Sequence, residues 1–254
     1  MNTPVLPPPP ATLQAVASLG RSEWEALLAG PAPEAARWMT TAARLGHGEA
    51  QAVLGQWMLD GHGLPRDPEN AYAWFRRAAD QGNAMGINMA GRCCENGWGT
   101  AVDLPCAIRW YRLAAQKGLD AGMYNLANQL ASGRGIAQDH PQALALYRQA
   151  AALGHVKSMG KVGHYFEDGL VVDKDMEQAF HCYRLGAEGG DFRAQFSLAG
   201  MLAAQGRHEE ALSWLRKVPL TATPAYLAEA GAMLAASSHP AFQAIGREML
   251  ARNA

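Results

Sequence analysis

The sequence predicts an all-α fold, a right-handed α-solenoid of stacked antiparallel helix pairs. The 254-residue chain is 49% hydrophobic and holds 27 glycines, and its excess of alanine over valine, isoleucine and threonine disfavours a β-rich core. A 36-residue period runs through most of the chain, which is typical of a repeat architecture. Glycines that recur with this period divide each repeat into two helices.

Four ladders of residues define the period. Their members are Gly46, Gly82, Gly118, Gly154 and Gly190; Gly61, Gly97, Gly133 and Gly169; Ala71, Ala107, Ala143 and Ala179; and Phe75, Tyr111, Tyr147 and Tyr183. Neither helix of a pair can bury its apolar face alone, so the pairs must stack, and stacking gives a superhelix with a concave and a convex face.

Residues 49–83 show how the sequence marks the two helices of a repeat. The first helix, about 49–60, carries apolar residues at helical spacing and ends at Gly61. The second begins after Asp67, whose carboxylate can cap the free N–H groups of the first turn, and it ends at Gly82. The capping aspartates recur as Asp67, Asp103, Asp139 and Asp175.

Small residues recur inside the first helices, where they remove bulk so that helices can cross closely. These positions are Gly55, Gly91, Ala127, Gly163 and Ala199. The aromatic ladder is expected to fill the gaps between the helix pairs.

The ends of the chain differ from the repeats. They contain a proline-rich tail over residues 1–10, one or two short helices within 11–29, a lone second helix over 34–45, and a closing helix pair at about 225–236 and 240–252. Terminal helices shield the apolar faces of the end repeats. We therefore expect an N-terminal tail with a capping helix (1–33), the repeats (34–218) and a C-terminal capping helix pair (219–254).

The repeat motif resembles that of the Sel1-like repeat family, a 36-residue branch of the tetratricopeptide-repeat (TPR) superfamily. The resemblance rests on A-x-x-x-L-G, G-x-G, Asp and A-x-x-W-[FY]-x-x-A-A-x-x-G, which run from Ala50 to Gly82 and are echoed three more times. The fourth unit departs from the motif at Val171 and Gly186, and the fifth, 192–218, resembles an ordinary TPR. The resemblance implies a TPR-like superhelix.

Charge and composition exclude two classes of partner. The net charge is −1 and no block of five or six like charges is present, whereas sequence-independent nucleic-acid binding needs a basic stripe. No apolar run approaches the ~20 residues of a membrane helix, so neither nucleic acid nor membrane is an expected partner. The first ten residues lack the features of a secretory signal, which predicts a cytoplasmic protein with reduced cysteines.

No motif predicts a metal site, a cofactor or catalysis. The four cysteines do not have the spacing of zinc ligands, and His208 lacks the second histidine of a helical zinc motif. The glycine-rich turns follow helices, whereas phosphate-binding loops follow strands. No GxSxG nucleophile motif is present, so we expect no enzyme.

The resemblance implies that the first helices line the concave face and that partner specificity lies at positions that the consensus leaves free. These positions form two ladders, Gln56, Arg92, Asn128, His164 and Gly200, and Ala52, Asn88, Tyr124, Gly160 and Phe196. Beside them lie Met85, Glu95, Asn125, Lys157, Lys161, Glu167 and Arg193. The predicted partner-binding residues are Gln56, Asn88, Arg92, Tyr124, Asn125, Asn128, Lys157, Lys161, His164 and Phe196.

A carboxylate clamp is a sharper hypothesis. Certain TPR domains hold the C-terminal carboxylate of an extended peptide with Lys, Asn and Arg donors on three successive first helices. The resemblance maps this clamp onto Asn88, Arg92, Asn125, Lys157 and Lys161. Asn88 and Arg92 depart from the expected residue types. Charge-assisted donors that converge on a carboxylate make strong, directional contacts; the alternative is an ordinary solvated helix face.

The exposed aromatics Tyr124 and Phe196 either anchor a partner or pack on neighbouring repeats. We expect a non-catalytic scaffold or adaptor whose concave groove binds a partner protein or peptide through such residues. An inhibitor or immunity-type protein that blocks an enzyme or toxin is the alternative. An enzyme that acts on cell-wall or antibiotic substrates, as proposed for some relatives, is least expected because no residues are visible to carry the reaction.

Overall fold

The computed structural model describes residues 12–252, and every regular element in this range is a helix. The helices before the complete repeats are α1 (Leu13–Ala17), α2 (Arg21–Ala29) and α3 (Ala32–Arg44). The repeats contain α4 (Gly48–Asp60), α5 (Pro68–Asp80), α6 (Ala84–Asn96), α7 (Leu104–Gln116), α8 (Asp120–Ser132), α9 (His140–Ala152), α10 (Val156–Asp168), α11 (Met176–Glu188), α12 (Phe192–Ala204) and α13 (His208–Leu215). A 3-10 turn, Val218–Leu220, precedes α14 (Pro224–Ala235) and α15 (Pro240–Ala251). The predicted all-α class is confirmed, whereas the predicted proline-rich tail, residues 1–10, lies outside the described residues.

The chain divides into two compact units, unit 1 (Met1–Gln138) and unit 2 (Asp139–Ala254). We call α4, α6, α8, α10 and α12 the A helices and α5, α7, α9, α11 and α13 the B helices. In unit 1, α4 packs against α5 and α6 against α7; in unit 2, α10 packs against α11 and α12 against α13. In both units a B helix also contacts the next A helix, as α5 contacts α6 and α11 contacts α12. The helices of each unit therefore stack in chain order.

The predicted helix limits follow from local capping. The side chains of Asp67, Asp103, Asp139 and Asp175 accept hydrogen bonds from N–H groups in the first turns of the B helices, at 2.8–3.0 Å. Four A helices end at left-handed glycines, Gly61, Gly97, Gly133 and Gly169, with φ of 69–75°. Glycine adopts this conformation without the steric cost of a Cβ atom, so the periodic glycines set the helix ends.

The aromatic ladder forms the centre of the packing. Phe75, Tyr111, Tyr147 and Tyr183 are all buried. A Cβ atom at Gly55 would lie 2.7 Å from Cε1 of Phe75, and one at Gly91 would lie 2.7 Å from Cε1 of Tyr111. The small residues are therefore required where each A helix crosses its aromatic ring.

In the first three repeats, a second glycine brings the loop between the A and B helices close to an earlier helix, namely α3, α5 or α7. A Cβ atom at Gly63 would collide with the carbonyl oxygen of Ala32, and one at Gly99 with that of Pro68. In the fourth repeat Val171 takes this place and keeps a left-handed φ of 58°, which no other non-glycine residue of the described chain adopts. A left-handed backbone costs a residue with a Cβ atom roughly 1–2 kcal/mol.

Candidate partner-binding surface

The first predicted ladder is accessible to solvent in both units. In unit 1, Gln56, Arg92 and Asn128 are partly exposed on α4, α6 and α8. In unit 2, His164 and Gly200 are exposed on α10 and α12. We call Gln56, Arg92, Tyr124, Asn125 and Asn128 the unit 1 A surface, and Lys157, Lys161, His164, Arg193 and Phe196 the unit 2 A surface.

The second ladder is largely buried, so its predicted exposure is wrong at three positions. Ala52, Asn88 and Gly160 are buried, whereas Tyr124 and Phe196 are partly exposed. Nδ2 of Asn125 donates to Oδ1 of Asn88 at 2.9 Å, and a Cβ atom at Gly160 would lie 3.2 Å from Oδ2 of Asp191. Asn88 and Gly160 therefore face the next A helix, where contacts within the protein use them.

Glu95 links three helices beside the unit 1 A surface. Its Oε2 accepts a 2.5 Å hydrogen bond from the hydroxyl of Tyr111, and its Oε1 accepts one from Nε2 of Gln129 at 2.9 Å. Nη1 of Arg134 lies 3.6 Å from the same Oε1. Burial and the neighbouring Glu95 raise the pKa of Tyr111. The carboxylate thus fixes α6, α7 and α8 relative to one another.

Arg92 is held in place by contacts that leave its charge uncompensated. Its guanidinium carbon lies 4.9 Å from the ring centre of Trp98, and Nη1 lies 3.7 Å from Sδ of Met89. No carboxylate among residues 12–252 lies within ion-pair distance of Arg92. A stacked guanidinium with unused N–H donors is suited to an acceptor from another molecule.

The unit 2 A surface combines cations with aromatic rings. Lys157 and Lys161 lie one turn apart on α10, and Arg193 lies at the start of α12. The guanidinium carbon of Arg193 is 4.6 Å from the ring centre of Phe192 and 5.4 Å from that of Tyr226. None of the three cations has an ion-pair partner among the described residues.

Two cations and a buried carboxylate determine the electrostatics of this surface. Burial first, and then the positive charge of Arg193, lower the pKa of Lys161, whereas Asp191 raises it. Oδ2 of Asp191 accepts from the Ala194 N–H at 3.2 Å, and its buried Oδ1 has no hydrogen-bond partner in the described chain. Two like charges in proximity would both be stabilised by an added anion.

His164 belongs to a hydrogen-bonded cluster on the same surface. The hydroxyl of Tyr183 donates to Oε2 of Glu167 at 2.5 Å and lies 2.7 Å from Nδ1 of His164. The side chain of His164 is 47% exposed, and the desolvation of the remainder and then the Lys161 ammonium lower its pKa. The carboxylates that act in the opposite direction are those of Glu167, Asp168 and Asp191. His164 is therefore biased towards the neutral imidazole.

The predicted carboxylate clamp is distributed over both units. Asn88, Arg92 and Asn125 lie in unit 1, and Lys157 and Lys161 lie in unit 2. Asn88 is buried, which removes one expected ligand donor, and its Oδ1 accepts from Nδ2 of Asn125, which uses one N–H group of a second expected donor.

Two features of the surface were not recognised in the sequence. Glutamate precedes a ladder tyrosine by 16 residues at both Glu95–Tyr111 and Glu167–Tyr183, and this shared spacing was the available signal. Tyr226, whose ring centre lies 4.8 Å from that of Phe192 and 6.0 Å from that of Phe196, stands outside the repeats, so no periodic signal indicates it.

Two of the cysteines of the described chain lie close together, and metal binding or thiol reactivity would depend on their surroundings. Within residues 12–252, no three His, Cys, Asp or Glu side chains are close enough to hold a metal ion. Sγ of Cys94 lies 2.9 Å from Sγ of Cys106, but Cys94 is buried and burial raises its pKa to about 11. This shift disfavours the thiolate, which is the nucleophilic form of cysteine.

None of the described helices has the length and apolarity needed to cross a membrane.

Stacked helix pairs with a 36-residue period define an α-solenoid repeat protein. The chain belongs to the Sel1 repeat family, whose model matches residues 32–47, 48–83, 84–119, 120–155 and 156–191. These matches cover more than half of the chain and agree with the resemblance recognised in its motifs. The predicted fifth unit, 192–218, lies outside them.

Solved structures share the fold. A Sel1 repeat protein from Oxalobacter formigenes is 25% identical with a TM-score of 0.76, and the alignment covers 91% of this chain and 99% of that one. The protective antigen c5321 of uropathogenic Escherichia coli, which has an SLR fold, is 28% identical with a TM-score of 0.65 over 87% of this chain and 49% of that one. The immunity protein Pa5087 of Pseudomonas aeruginosa is 20% identical with a TM-score of 0.52 over 76% of this chain and 72% of that one. A comparison with curated protein sequences gives no match.

Proposed function

We propose that this chain is a non-catalytic scaffold that binds a partner protein or peptide on its A surfaces. Membership of a repeat family that commonly serves in protein interaction supports the proposal. The observation that carries it is the state of Arg92, Lys157 and Arg193, which are cations without ion-pair partners among the described residues. Such groups can form charge-assisted hydrogen bonds with a partner, and few internal contacts have to be broken for this.

A cytoplasmic location stays a prediction that cell fractionation would test.

The unit 2 A surface is the stronger candidate for an acidic ligand group, either a C-terminal carboxylate or an acidic side chain. Lys157, Lys161 and Arg193 supply the donors, and the ring of Tyr226 lies beside the guanidinium of Arg193. This assignment revises the clamp inferred from the resemblance, because Asn88 is already paired with Asn125. Arg92 remains a separate cation on unit 1.

Affinity capture with a matched control tests the scaffold. The double variant Arg92→Ala/Lys157→Ala removes one cation from each A surface, whereas Arg112→Ala/Arg184→Ala removes two exposed cations from B helices. The proposal expects specific proteins, quantified by mass spectrometry, to be captured by wild type and control but lost from the A-surface variant at an unchanged melting temperature. Equal capture by both variants would contradict it.

Peptides with free and amidated C-termini test the acidic ligand. Chemical-shift changes in the labelled protein should report binding of a degenerate free-acid peptide mixture near Lys161 and Arg193, and the amidated mixture should give smaller shifts because it lacks the charge. Equal shifts with both mixtures would argue against carboxylate recognition.

An inhibitor of the immunity type is the alternative. Immunity proteins of Pseudomonas aeruginosa, at 20% and 18% identity, share the fold, so a Sel1-like solenoid is compatible with this role. Under the alternative, co-expression of this protein with a toxin encoded beside its gene would restore the growth of cells that the toxin inhibits. Under the adaptor proposal, a partner captured through the A surfaces would keep its activity in the complex.

A further inference from the structure

Gly200 differs from the other glycines inside the described helices. A Cβ atom would lie 3.0 Å or less from a neighbouring atom at Gly55, Gly86, Gly91, Gly122, Gly163, Gly186, Gly231 and Gly246. At Gly160 the distance is 3.2 Å, whereas at Gly200, in the middle of α12, nothing lies within 4 Å. Glycine weakens a helix relative to alanine, and at Gly200 no packing contact requires it.

An open cavity lies in front of Gly200. This space of about 570 Å³, which we call the Gly200 cavity, lies within unit 2. The lining residues relevant to its chemistry are Glu167, Met176, Glu177, Phe180, Gly200 and Met201. The missing side chain of Gly200 therefore keeps a concave site open.

The lining is apolar apart from two carboxylates and the amide of Gln205, whose Oε1 accepts from Nη1 of Arg207 at 3.1 Å. Met176, Phe180 and Met201 form apolar walls. Glu177 forms no ion pair and no side-chain hydrogen bond with the described residues, whereas Oε2 of Glu167 accepts from Tyr183.

Among residues 12–252, no lysine or arginine forms an ion pair with Glu167 or Glu177, and Nδ1 of His164, which is biased towards the neutral form, lies 3.8 Å from Oε2 of Glu167. Arg207 lies 5.8 Å from the ring centre of Phe180, but both its Nε and its Nη2 donate to Glu210 at 2.7 Å. Lys161 acts on the neighbouring His164 rather than forming an ion pair with either glutamate.

We propose that the Gly200 cavity binds a lysine or arginine side chain of the partner protein. The aliphatic stem of such a side chain packs on methionine and phenylalanine, and its charged end meets Glu177 and the remaining capacity of Glu167. That the side chain comes from a partner protein rests on the proposed scaffold function. An apolar side chain would leave both carboxylates without a counter-charge.

The position of the cavity also limits the sequence of the partner segment. Gly200 lies seven residues after Arg193 on α12, which places the two positions on one helix face about 10 Å apart. An extended peptide spans this distance in about three residues. The basic side chain therefore lies about three residues from the acidic group that the cations of the unit 2 A surface bind.

A peptide pair tests the cavity without a known partner. The probe is acetyl-arginyl-trialanine with a free C-terminus, titrated into the labelled full-length protein and followed by the amide shifts of Gly200 and Met201. Citrulline in place of arginine keeps the shape but removes the charge, and it should weaken binding by at least about threefold. Equal affinity for both peptides, or the absence of any shift at millimolar peptide, would overturn the proposal.

Two variants of the protein locate the site. Gly200→Leu should abolish the shifts and melt no lower than wild type, because its Cβ atom meets nothing and leucine favours a helix. Glu177→Gln should reduce arginine binding to the level of citrulline. The control Gly200→Ala should bind like wild type, and unchanged binding by Gly200→Leu would overturn the assignment.

The C-terminal amide of the same peptide separates this inference from the proposed function. Loss of affinity on amidation reports on the cations, and loss on citrulline substitution reports on the cavity. A free-acid preference without an arginine preference would therefore contradict the cavity alone, and equal capture of partners by the A-surface variant and its control would contradict the scaffold.

Discussion

Val171 keeps a backbone conformation that its side chain opposes. Replacing it with glycine removes a strain of roughly 1–2 kcal/mol, and the greater freedom of glycine in the unfolded chain offsets part of this gain. We expect Val171→Gly to raise the free energy of unfolding by about 0.5–1 kcal/mol, measured by urea denaturation. Val102→Gly, at an exposed loop valine without a positive φ, should bring no gain, and a gain there would refute the explanation by strain.

His164 should make stability depend on pH. Its pKa in the folded protein is below the ordinary value of 6.5, so the unfolded chain binds the proton more readily, and stability falls as the pH drops through about 6.5 and below. Lys161 strengthens this effect, whereas the three nearby carboxylates weaken it. His164→Gln should therefore lose less stability than wild type between pH 7.5 and 5.5 in parallel denaturant melts. Equal losses would show that His164 does not contribute.

Asn88 shows the limit of prediction for a single residue. The repeat register places it correctly on an A helix, but a position left free by a consensus can be either exposed or used between repeats. Its burial depends on Asn125, 37 residues away, and on the packing of α6 against its neighbours. Neither the contact with Asn125 nor the packing of α6 can be predicted from residue type and local spacing.

At the scale of the helix, the sequence predicts most of the structure because the determinants are local. Aspartate caps and left-handed glycines act within one turn of their own helix, so α4 and α5 begin and end within a residue or so of the expected limits. The contacts between consecutive A helices were not predicted. Glu95, for example, contacts Gln129 through a pairing that requires the stacked structure.

The crossing of α6 and α7 should be sensitive to a single methyl group. Gly91→Ala places a Cβ atom 2.7 Å from Cε1 of the buried Tyr111, and such overpacking costs about 1–3 kcal/mol. Gly200→Ala, where the methyl group has space, should instead stabilise by up to about 1 kcal/mol. Thermal melts of both variants measure the difference, and a stable Gly91→Ala protein would disprove the tight crossing.

At the scale of the molecule, each unit contains buried apolar clusters. One cluster of unit 2 includes Tyr183, Leu198 and Met249, and two clusters of unit 1 include Leu54 and Phe75, respectively. Repeat proteins gain stability from each repeat and its immediate neighbours. The sequence indicates this mode of assembly through its period, but it did not indicate the boundary at Gln138.

A lesion in unit 2 should therefore act locally. Gly163→Ala brings a Cβ atom 2.8 Å from Cε1 of Tyr183, and we expect faster amide hydrogen exchange in α10 and α11 with little change in α4 and α5. Mass spectrometry of peptic peptides measures both regions in one experiment. An equal loss of protection in both regions would mean that the chain opens as one cooperative body.

The phenols bonded to Glu95 and Glu167 give this protein an internal optical reporter. Because the folded state raises the pKa of Tyr111 and Tyr183, their ionisation in base accompanies the opening of the surrounding helices. The folded state also raises the pKa of Tyr72, Tyr165 and Tyr226, so the ultraviolet absorbance of tyrosinate follows denaturation in base of both units without any added dye.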